Sequence, residues 1–182
     1  MRTPCSRGRP RSGGGSVAVV RLAIISDTHL PRGTRRLPDA CVARLREADL
    51  ILHAGDLVAL EVLDDLRAIG PPVAAVHGNV DAFEVRAALP AERVVEADGA
   101  RIGMIHDAGP AGGRLARMAT RFPECQAVVF GHSHIPLLER GDGGFQIFNP
   151  GSPTDRRRRP AHTMGVAEVA DGAVTFELVV LD

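Results

Sequence analysis

The sequence predicts an α/β fold in which two β-sheets pack face to face and helices cover their outer faces. Apolar runs alternate with helical patterns over residues 17–89, which indicates parallel β-α-β units. Asp-Gly pairs that begin at Asp98, Asp142 and Asp171 predict three β-hairpins, so the second half of the chain is expected to be largely antiparallel. Polar blocks follow the apolar runs, and this is where open α/β sheets bind their ligands.

The first half of the chain is predicted to form two β-α-β units and one further helix. Its apolar runs have the length of buried strands, and apolar residues at helical spacing separate them. Pro38 fits the first turn of the first helix, and Gly70 fits the end of the second. The elements alternate between strand and helix and cover residues 17–25, 38–48, 50–53, 59–69, 73–77 and 82–89.

The second half is predicted to combine hairpins with one more helix and one more buried strand. Two strands flank the Asp98-Gly99 pair, and the other two hairpins complete the chain. A short apolar run between them ends in a polar loop. These elements are strands over 93–97 and 101–106, a helix over 112–121 and a strand over 127–130.

Length and composition favour one globular domain, which we place at residues 17–182. Residues 1–16 contain four arginines, no acidic residue and three consecutive glycines, and we expect a disordered basic extension there. A nucleic-acid-binding arm is the alternative. The whole chain has 22 basic and 22 acidic residues, so no overall charge favours nucleic acid or an anionic membrane as a partner.

The cysteines and the hydropathy pattern indicate the cellular compartment in which the protein is expected. Three cysteines, at positions 5, 41 and 125, are odd in number and far apart, which argues against a disulfide framework. No run of 18 apolar residues occurs, and the first residues lack the hydrophobic region of a signal peptide. We therefore expect a cytoplasmic protein without a membrane partner.

Four polar blocks carry the residues expected to do chemistry. Their Asp, His and Asn side chains suit Mn²⁺, Fe, Co²⁺, Ni²⁺ or Zn²⁺. Residues two apart in an extended segment point to one side, so we expect Asp27 with His29, and His132 with His134, to act as pairs. Adjacent cations repel unless a carboxylate bridges them, and Asp56 is the candidate. The blocks are Asp27-Thr28-His29, Gly55-Asp56, Gly78-Asn79-Val80-Asp81 and Gly131-His132-Ser133-His134, with His106 between the last two.

In this order the blocks resemble those of the calcineurin-like metallophosphoesterases. Residues 149–152, with the sequence Asn-Pro-Gly-Ser, resemble the small bacterial and archaeal phosphodiesterase branch, which includes the eukaryotic retromer subunit of the same fold. The resemblance runs from about residue 21 to the C-terminus. It implies a four-layer α/β/β/α sandwich of two mixed β-sheets flanked by helices.

The resemblance also implies two divalent metal ions, with Mn²⁺ the favoured ion. A hydroxide held between them would attack phosphorus, so the implied activity is that of a dinuclear phosphodiesterase acting on a small phosphoester. Asp56, Asn79 and His132 are the implied catalytic residues. The first metal would be held by Asp27, His29, Asp56 and His134, and the second by Asp56, Asn79, His106 and His132.

Two positions depart from the family pattern. Many members have a histidine after the Asn of the third block, where it assists the leaving group, and this chain has Val80, which cannot donate a proton. Asp107 follows His106 where much of the family has glycine, so the environment of the second metal is expected to differ. Asp107 as an ordinary turn residue is the alternative.

Two other functions fit the same fold. One is a scaffold or interaction protein with little activity, and the complete ligand set argues against it. The other is a nuclease, which would need a basic groove that only the four arginines at 156–159 suggest. Those arginines either bind a second phosphate or belong to a solvated loop, and the same alternatives hold for Arg32.

Four further polar residues have structural interpretations. We expect His53, His77 and His162 to be core or surface residues and not ligands. Asp81 either caps the helix that follows it or supports a metal ligand.

Overall fold

The computed structural model describes residues 19–182, so the expected disordered extension at 1–16 lies outside the described residues. Strands and helices alternate in the first half, and strands predominate in the second. In chain order the elements are β1 Val20–Ile25, α1 Asp39–Arg46, β2 Leu50–His53, α2 Leu60–Ala68, β3 Val73–Ala75, α3 Phe83–Ala88, β4 Glu92–Ala97, β5 Ala100–Ile105, α4 Arg114–Arg121, β6 Ala127–Val129, β7 Leu137–Arg140, β8 Gln146–Asn149, β9 Thr163–Ala170 and β10 Ala173–Val180.

The strands form two mixed five-stranded sheets. In the first sheet, ordered β10-β9-β1-β2-β3, β1 and β2 pair in parallel, as do β2 and β3, which confirms the β-α-β prediction. The β9–β10 hairpin returns to this sheet and lies antiparallel to β1. The second sheet, ordered β4-β5-β6-β8-β7, is parallel at its centre and antiparallel at both edges.

All three predicted hairpins are present, and two of them have the tight turn that Asp-Gly favours. Asp98 and Gly99 have φ values of 38° and 79° between β4 and β5, and Asp171 and Gly172 have 50° and 79° between β9 and β10. Two successive positive φ values match the right-handed twist of the flanking strands. The β7–β8 hairpin has a longer connection around Asp142.

The main core lies between the two sheets. Leu22 and Ile24 of the first sheet pack in one cluster with Ile102, Met104 and Phe148 of the second, and none of them is more than 1% exposed. Burial of large apolar side chains on both inner faces removes them from water and holds the sheets together.

The helices cover the outer faces. On the first sheet, Leu45 of α1, Leu66 of α2 and Val85 of α3 pack in one buried cluster. On the second sheet, Met118 of α4 packs with Val128 and Ile147. The layers therefore follow the order α/β/β/α, which confirms the predicted sandwich.

Some boundaries differ from the prediction. The first strand begins at Val20, and the third ends at Ala75, after which the amide of His77 donates to the carbonyl of Pro90. Cys41 and Cys125 are buried free thiols. Within residues 19–182, no helix is both long enough and apolar enough to cross a membrane.

Candidate metal centre

The predicted ligands lie together where strands of both sheets end. The carboxyl ends of parallel strands meet at one edge of a sheet, so polar residues that follow them converge. Each of the seven side chains lies within 4 Å of another member of the set. Asp27 and His29 follow β1, Asp56 follows β2, Asn79 follows β3, His106 follows β5, and His132 and His134 follow β6.

Three of these residues, Asp27, His29 and His134, form what we call the inner group. One donor atom from each lies within 4.8 Å of the others. The two Nε2 atoms of His29 and His134 are 3.1 Å apart, and His134 Nε2 lies 3.4 Å from Asp27 Oδ1. All three side chains are buried, at 3% exposure or less.

Another three residues, Asn79, His106 and His132, form the outer group. Asn79 Oδ1 lies 3.2 Å from His106 Nε2 and 2.9 Å from His132 Nδ1. His106 is buried, whereas Asn79 and His132 are exposed. The outer group therefore faces solvent on one side.

Asp56 lies between the two groups. Its Oδ2 atom is 3.8 Å from His29 Nε2 and 3.3 Å from His106 Nε2. Its Oδ1 atom accepts a hydrogen bond from the Val80 amide at 3.0 Å, which fixes the orientation of the carboxylate. This position is the one that a carboxylate bridging two cations would need.

Burial and neighbouring charges perturb the pKa values of these groups. Burial lowers the pKa of His29 to about 4, so its imidazole is neutral at pH 7 and offers a lone pair. Burial alone would raise the pKa of Asp56, but a hydrogen bond from His106 and that histidine's charge lower it to about 2. Burial would likewise lower the pKa of His106, but Asp56 and Asp27 raise it. A protonated His106 thus places positive charge beside these carboxylates, and a bound metal ion would supply that charge in its place.

The inner group fits a divalent transition metal. Buried Asp27 Oδ1 has no hydrogen-bond partner within residues 19–182. His134 Nδ1 donates to the carbonyl of Asp155, so a neutral His134 ring directs its Nε2 lone pair towards His29. Buried acceptors that face one another without a donor are unfavourable, and a cation at their meeting point satisfies them. Mixed carboxylate and imidazole donors suit such an ion.

The backbone at the predicted ligands is unusual. Five of the seven are left-handed, with φ values between 47° and 66°, although none is glycine. Hydrogen bonds from the Asp27 amide to the Gly55 carbonyl, and from the His29 amide to the Asp56 carbonyl, hold two of these loops together. Sparsely populated conformations of this kind concentrate at functional sites. The five residues are Asp27, His29, Asp56, His132 and His134.

The glycine before each of three predicted ligands provides room for another predicted ligand. A Cβ at Gly78 would lie 2.0 Å from Asp56 Oδ1, and one at Gly131 would lie 2.7 Å from Asp27 Oδ2. At Gly55, which also has a φ of 94°, a Cβ would lie 2.7 Å from His106 Nδ1. Alanine at any of these positions would therefore displace a proposed metal ligand.

The expectation that residues two apart act as pairs is wrong for one of the two segments. His132 and His134 are both left-handed and not extended, so the alternation of a strand does not apply to them. His134 joins the inner group and His132 joins the outer group. Asp27 and His29 do share a group, although their backbone is also left-handed.

Asp81 supports the ligand loops and does not cap a helix. Residue 82 is the N-cap of α3, and no side chain caps that helix. The buried Asp81 carboxylate instead accepts hydrogen bonds from the amides of Asp56, Val58 and Gly78, at 3.2, 2.6 and 2.6 Å. It thereby ties the loop of Asp56 to the loop that carries Asn79.

Three residues that sequence reasoning gave no role also hold the site. Asn149 Nδ2 donates to the Gly131 carbonyl at 2.7 Å, and Ser152 Oγ donates to the Asp27 carbonyl at 2.8 Å. The Asp155 carbonyl orients His134. The Asn-Pro-Gly-Ser resemblance was the signal available for the first two. The third acts through its backbone, so no residue type could have indicated it.

The remaining structural interpretations are confirmed for the residues concerned. Buried His53 accepts from the Gly55 amide at Nδ1 and lies 3.0 Å from Thr28 Oγ1 at Nε2. His77 is half-buried beside the Gly78 carbonyl, and His162 pairs with Asp182. Exposed Asp107 accepts a hydrogen bond from the Gly109 amide, as a turn residue does.

Comparison with known proteins places the chain in a family. Residues 20–172 match the calcineurin-like phosphoesterase superfamily domain, and the chain belongs to that superfamily. It is 33% identical to a probable metallophosphoesterase of Methanothermobacter thermautotrophicus over 73% of this chain and 77% of that one. It is 35% identical to a probable metallophosphoesterase of Methanocaldococcus jannaschii over 73% and 68%.

Solved structures share the fold at lower identity. Vacuolar protein sorting 29 of Cryptosporidium parvum superimposes with a TM-score of 0.73 at 20% identity, covering 88% of this chain and 97% of that one. A structure described as a novel archaeal phosphodiesterase gives 0.67 at 18% identity, covering 88% and 100%. The chain is thus a member of the metallophosphoesterase family with a candidate metal-binding site.

Proposed function

We propose that this protein is a dinuclear metal-dependent phosphodiesterase, with Mn²⁺ the favoured ion and a small phosphoester the substrate. The observation that carries the proposal is the placement of Asp56 between two groups of imidazole, carboxylate and amide donors. Such a bridging carboxylate allows two cations to lie close together. The archaeal phosphodiesterase of the same fold supports this class of ester.

Each residue has a defined role in this proposal. Asp27, His29 and His134 would hold the first ion, Asn79, His106 and His132 would hold the second, and Asp56 would contact both. Divalent cations at such a site lower the pKa of water and offset negative charge on phosphoryl oxygens. The half-exposed outer group leaves the second ion accessible to the substrate. The Asp155 and Ala54 carbonyls accept from the Nδ1 atoms of His134 and His106 and keep both rings oriented.

Val80 determines which esters are hydrolysed fast. Its side chain cannot donate a proton, and its amide is already committed to Asp56. Without a proton donor, the rate depends on how stable the leaving group is as an anion. We therefore expect aryl esters to react faster than alkyl esters by about 10² to 10⁴. Val80→His should raise kcat/KM for an alkyl diester more than for an aryl diester. Equal rates for the two esters in the unmodified protein would contradict this role.

One assay tests the proposal against its alternatives. Metal content is measured together with hydrolysis of bis-p-nitrophenyl phosphate, p-nitrophenyl phosphate and single-stranded DNA. Two bound ions and fastest turnover of the diester would support a phosphodiesterase. Preference for DNA would favour a nuclease, and bound metal without hydrolysis of any ester would favour a scaffold. Glu139→Gln, an exposed charge change on β7, is the control for purification and loading.

An interaction role is the second candidate, because apolar side chains remain exposed at one edge of the sandwich. Ile135, Leu138 and Leu178 are 41 to 42% exposed, and Val180 is 58% exposed. Two of them, Leu138 and Leu178, line a cavity of about 120 Å³. Exposed apolar patches mark interaction surfaces. A cytoplasmic location stays a prediction for either function.

A further inference from the structure

Two loops border the inner group and are tied to each other. They cover residues 30–37, after His29, and residues 153–161, between β8 and β9. Arg35 Nη2 lies 3.0 Å from Asp155 Oδ2, and Thr154 Oγ1 donates to the Thr28 carbonyl at 2.6 Å. Because the Asp155 carbonyl also binds His134, both loops have a fixed place beside the first metal position.

These loops concentrate positive charge in a chain that is neutral overall. Together they contain seven arginines and one carboxylate, Asp155, which pairs with Arg35. The positive charge is therefore a local excess next to the candidate metal centre. Elsewhere on the surface, Arg67, Arg101 and Arg121 each pair with a carboxylate.

Apart from Arg35, the six other arginines of these loops are exposed and form no salt bridge with any residue in 19–182. Three of them, Arg32, Arg157 and Arg158, define what we call the arginine rim. Arg156 differs, because its Nη1 atom donates to the carbonyls of Arg159 and Pro160 and is committed within its own loop.

We propose that the arginine rim binds a second, non-reacting phosphate group of the substrate, so that the preferred ester is a phosphodiester carrying an additional phosphate. This inference rests on the proposed function for the position of the scissile ester. Guanidinium groups match phosphate oxygens with paired hydrogen bonds, and they remain charged at all physiological pH values. Because the rim residues lie on loops that border the inner group and are not among the proposed ligands, the rim contributes to binding and leaves the chemistry of the scissile bond unchanged.

Two nucleoside substrates that differ by one phosphate isolate the effect. Thymidine 5′-(p-nitrophenyl phosphate) and its 3′-phosphorylated counterpart have the same leaving group and the same scissile diester. We expect kcat/KM to be about 10-fold higher for the 3′-phosphorylated ester, mainly through a lower KM. The ratio should fall as ionic strength rises, because exposed charges are screened.

A variant combining Arg32→Gln, Arg157→Gln and Arg158→Gln should bring this ratio to about 1. Its kcat/KM for the ester without the 3′-phosphate should stay within about two-fold of the parent. Arg140→Gln, which removes an exposed arginine from β7, is the matched control and should leave the ratio unchanged. A ratio near 1 in the parent protein, or a ratio that survives in the triple variant, would overturn the proposal.

A binding measurement separates this inference from the proposed function. Calorimetry with thymidine 3′,5′-bisphosphate and thymidine 5′-phosphate should show tighter binding of the bisphosphate by about 10-fold, lost in the triple variant. If neither ester is hydrolysed while this difference persists, the phosphodiesterase proposal fails and the rim stands. Tighter binding of a single-stranded oligonucleotide through the same arginines would overturn the assignment to a small substrate.

Discussion

The inner and outer groups use similar side chains in different surroundings. Asp27, His29 and His134 are shielded from water, and Asp27 Oδ1 lacks a partner within the described chain. In the outer group, Asn79 Oδ1 already lies within hydrogen-bond distance of two imidazoles, and both Asn79 and His132 are exposed. A buried carboxylate oxygen without a hydrogen-bond partner favours a cation strongly, whereas an exposed amide oxygen that already contacts two imidazoles must exchange those contacts for the ion.

The buried inner group is therefore suited to retain metal, and the exposed outer group is suited to admit substrate. We infer that the inner group holds its ion through purification, while the outer group exchanges its ion with solvent. Because the outer group is exposed, a phosphoryl oxygen of the substrate can reach it without displacing other protein atoms. Substitutions in each group, and at Asp56, Asp81 and His53, test whether the two groups differ in this way.

The largest expected effect is that of Asp56→Asn. The carboxylate contacts both groups, and the neutral amide would leave two adjacent cations without a bridging charge. Residues that only orient metal ligands already cost 10 to 100-fold when changed, so we expect kcat/KM to fall by more than about 100-fold. Steady-state hydrolysis of bis-p-nitrophenyl phosphate measures it, with Glu139→Gln as the control. Retention of most activity would show that Asp56 does not bridge.

Paired alanine variants test the two groups directly. Asp27→Ala with His134→Ala should remove the tightly held ion, whereas Asn79→Ala with His132→Ala should leave about one ion per chain. Metal content after gel filtration and buffer exchange distinguishes them. Unchanged metal content in the first variant would contradict the inner assignment. Loss of both ions in the second would show that the groups are not independent.

Asp81→Asn should weaken the fold and the site together. One carboxylate accepts three backbone amides from two ligand loops, and an asparagine would turn two N–H donors towards them. Hydrogen bonds to a charged acceptor contribute about 1.5 to 3 kcal/mol each, and we expect a loss of roughly 3 kcal/mol in the free energy of unfolding. Urea denaturation measures this loss, with exposed Asp142→Asn as the control. A loss below about 1 kcal/mol would show that the Asp81 carboxylate does not stabilise these loops.

The smallest effect is expected from His53→Leu. The substitution fills a similar volume but leaves the Gly55 amide and Thr28 hydroxyl unpaired behind both groups. We expect a loss of about 1 to 3 kcal/mol in unfolding free energy and weaker metal retention by the inner group. His162→Leu, at a surface histidine, is the matched control for the unfolding measurement. Unchanged stability would show that Thr28 and Gly55 find other partners.

The sequence predicted the layers and the convergence of the seven polar residues because both depend on short-range patterns. Strand lengths, Asp-Gly turns and polar residues after apolar runs are all local signals. The pairing of β9 with β1 joins residues more than 130 positions apart, and no local pattern specifies it. The sequence therefore indicated three hairpins but not that the last one completes the first sheet.

The family resemblance implied the division of the site into two groups, whereas residue spacing alone did not predict it. His132 and His134 were expected to point together because an extended chain was assumed. Both residues are left-handed, and the preceding Gly131 lies against the distant Asp27, where a Cβ would not fit. Carbonyls such as those of Ala54 and Asp155 orient the histidines, and a carbonyl belongs to every residue type. Their roles could only be seen in three dimensions.

The left-handed ligand residues imply a conflict between durability and activity. A non-glycine residue in this conformation costs roughly 1 to 2 kcal/mol relative to an ordinary one, and glycine would avoid that cost. His132 is exposed, so His132→Gly would sacrifice little buried surface while relaxing its φ of 66°. Sequences optimised for heat resistance alone would accordingly accumulate glycine at such positions and lose the ligands. The chain has Asp or His at all five, and at the exposed one, His132, we expect glycine to raise the melting temperature.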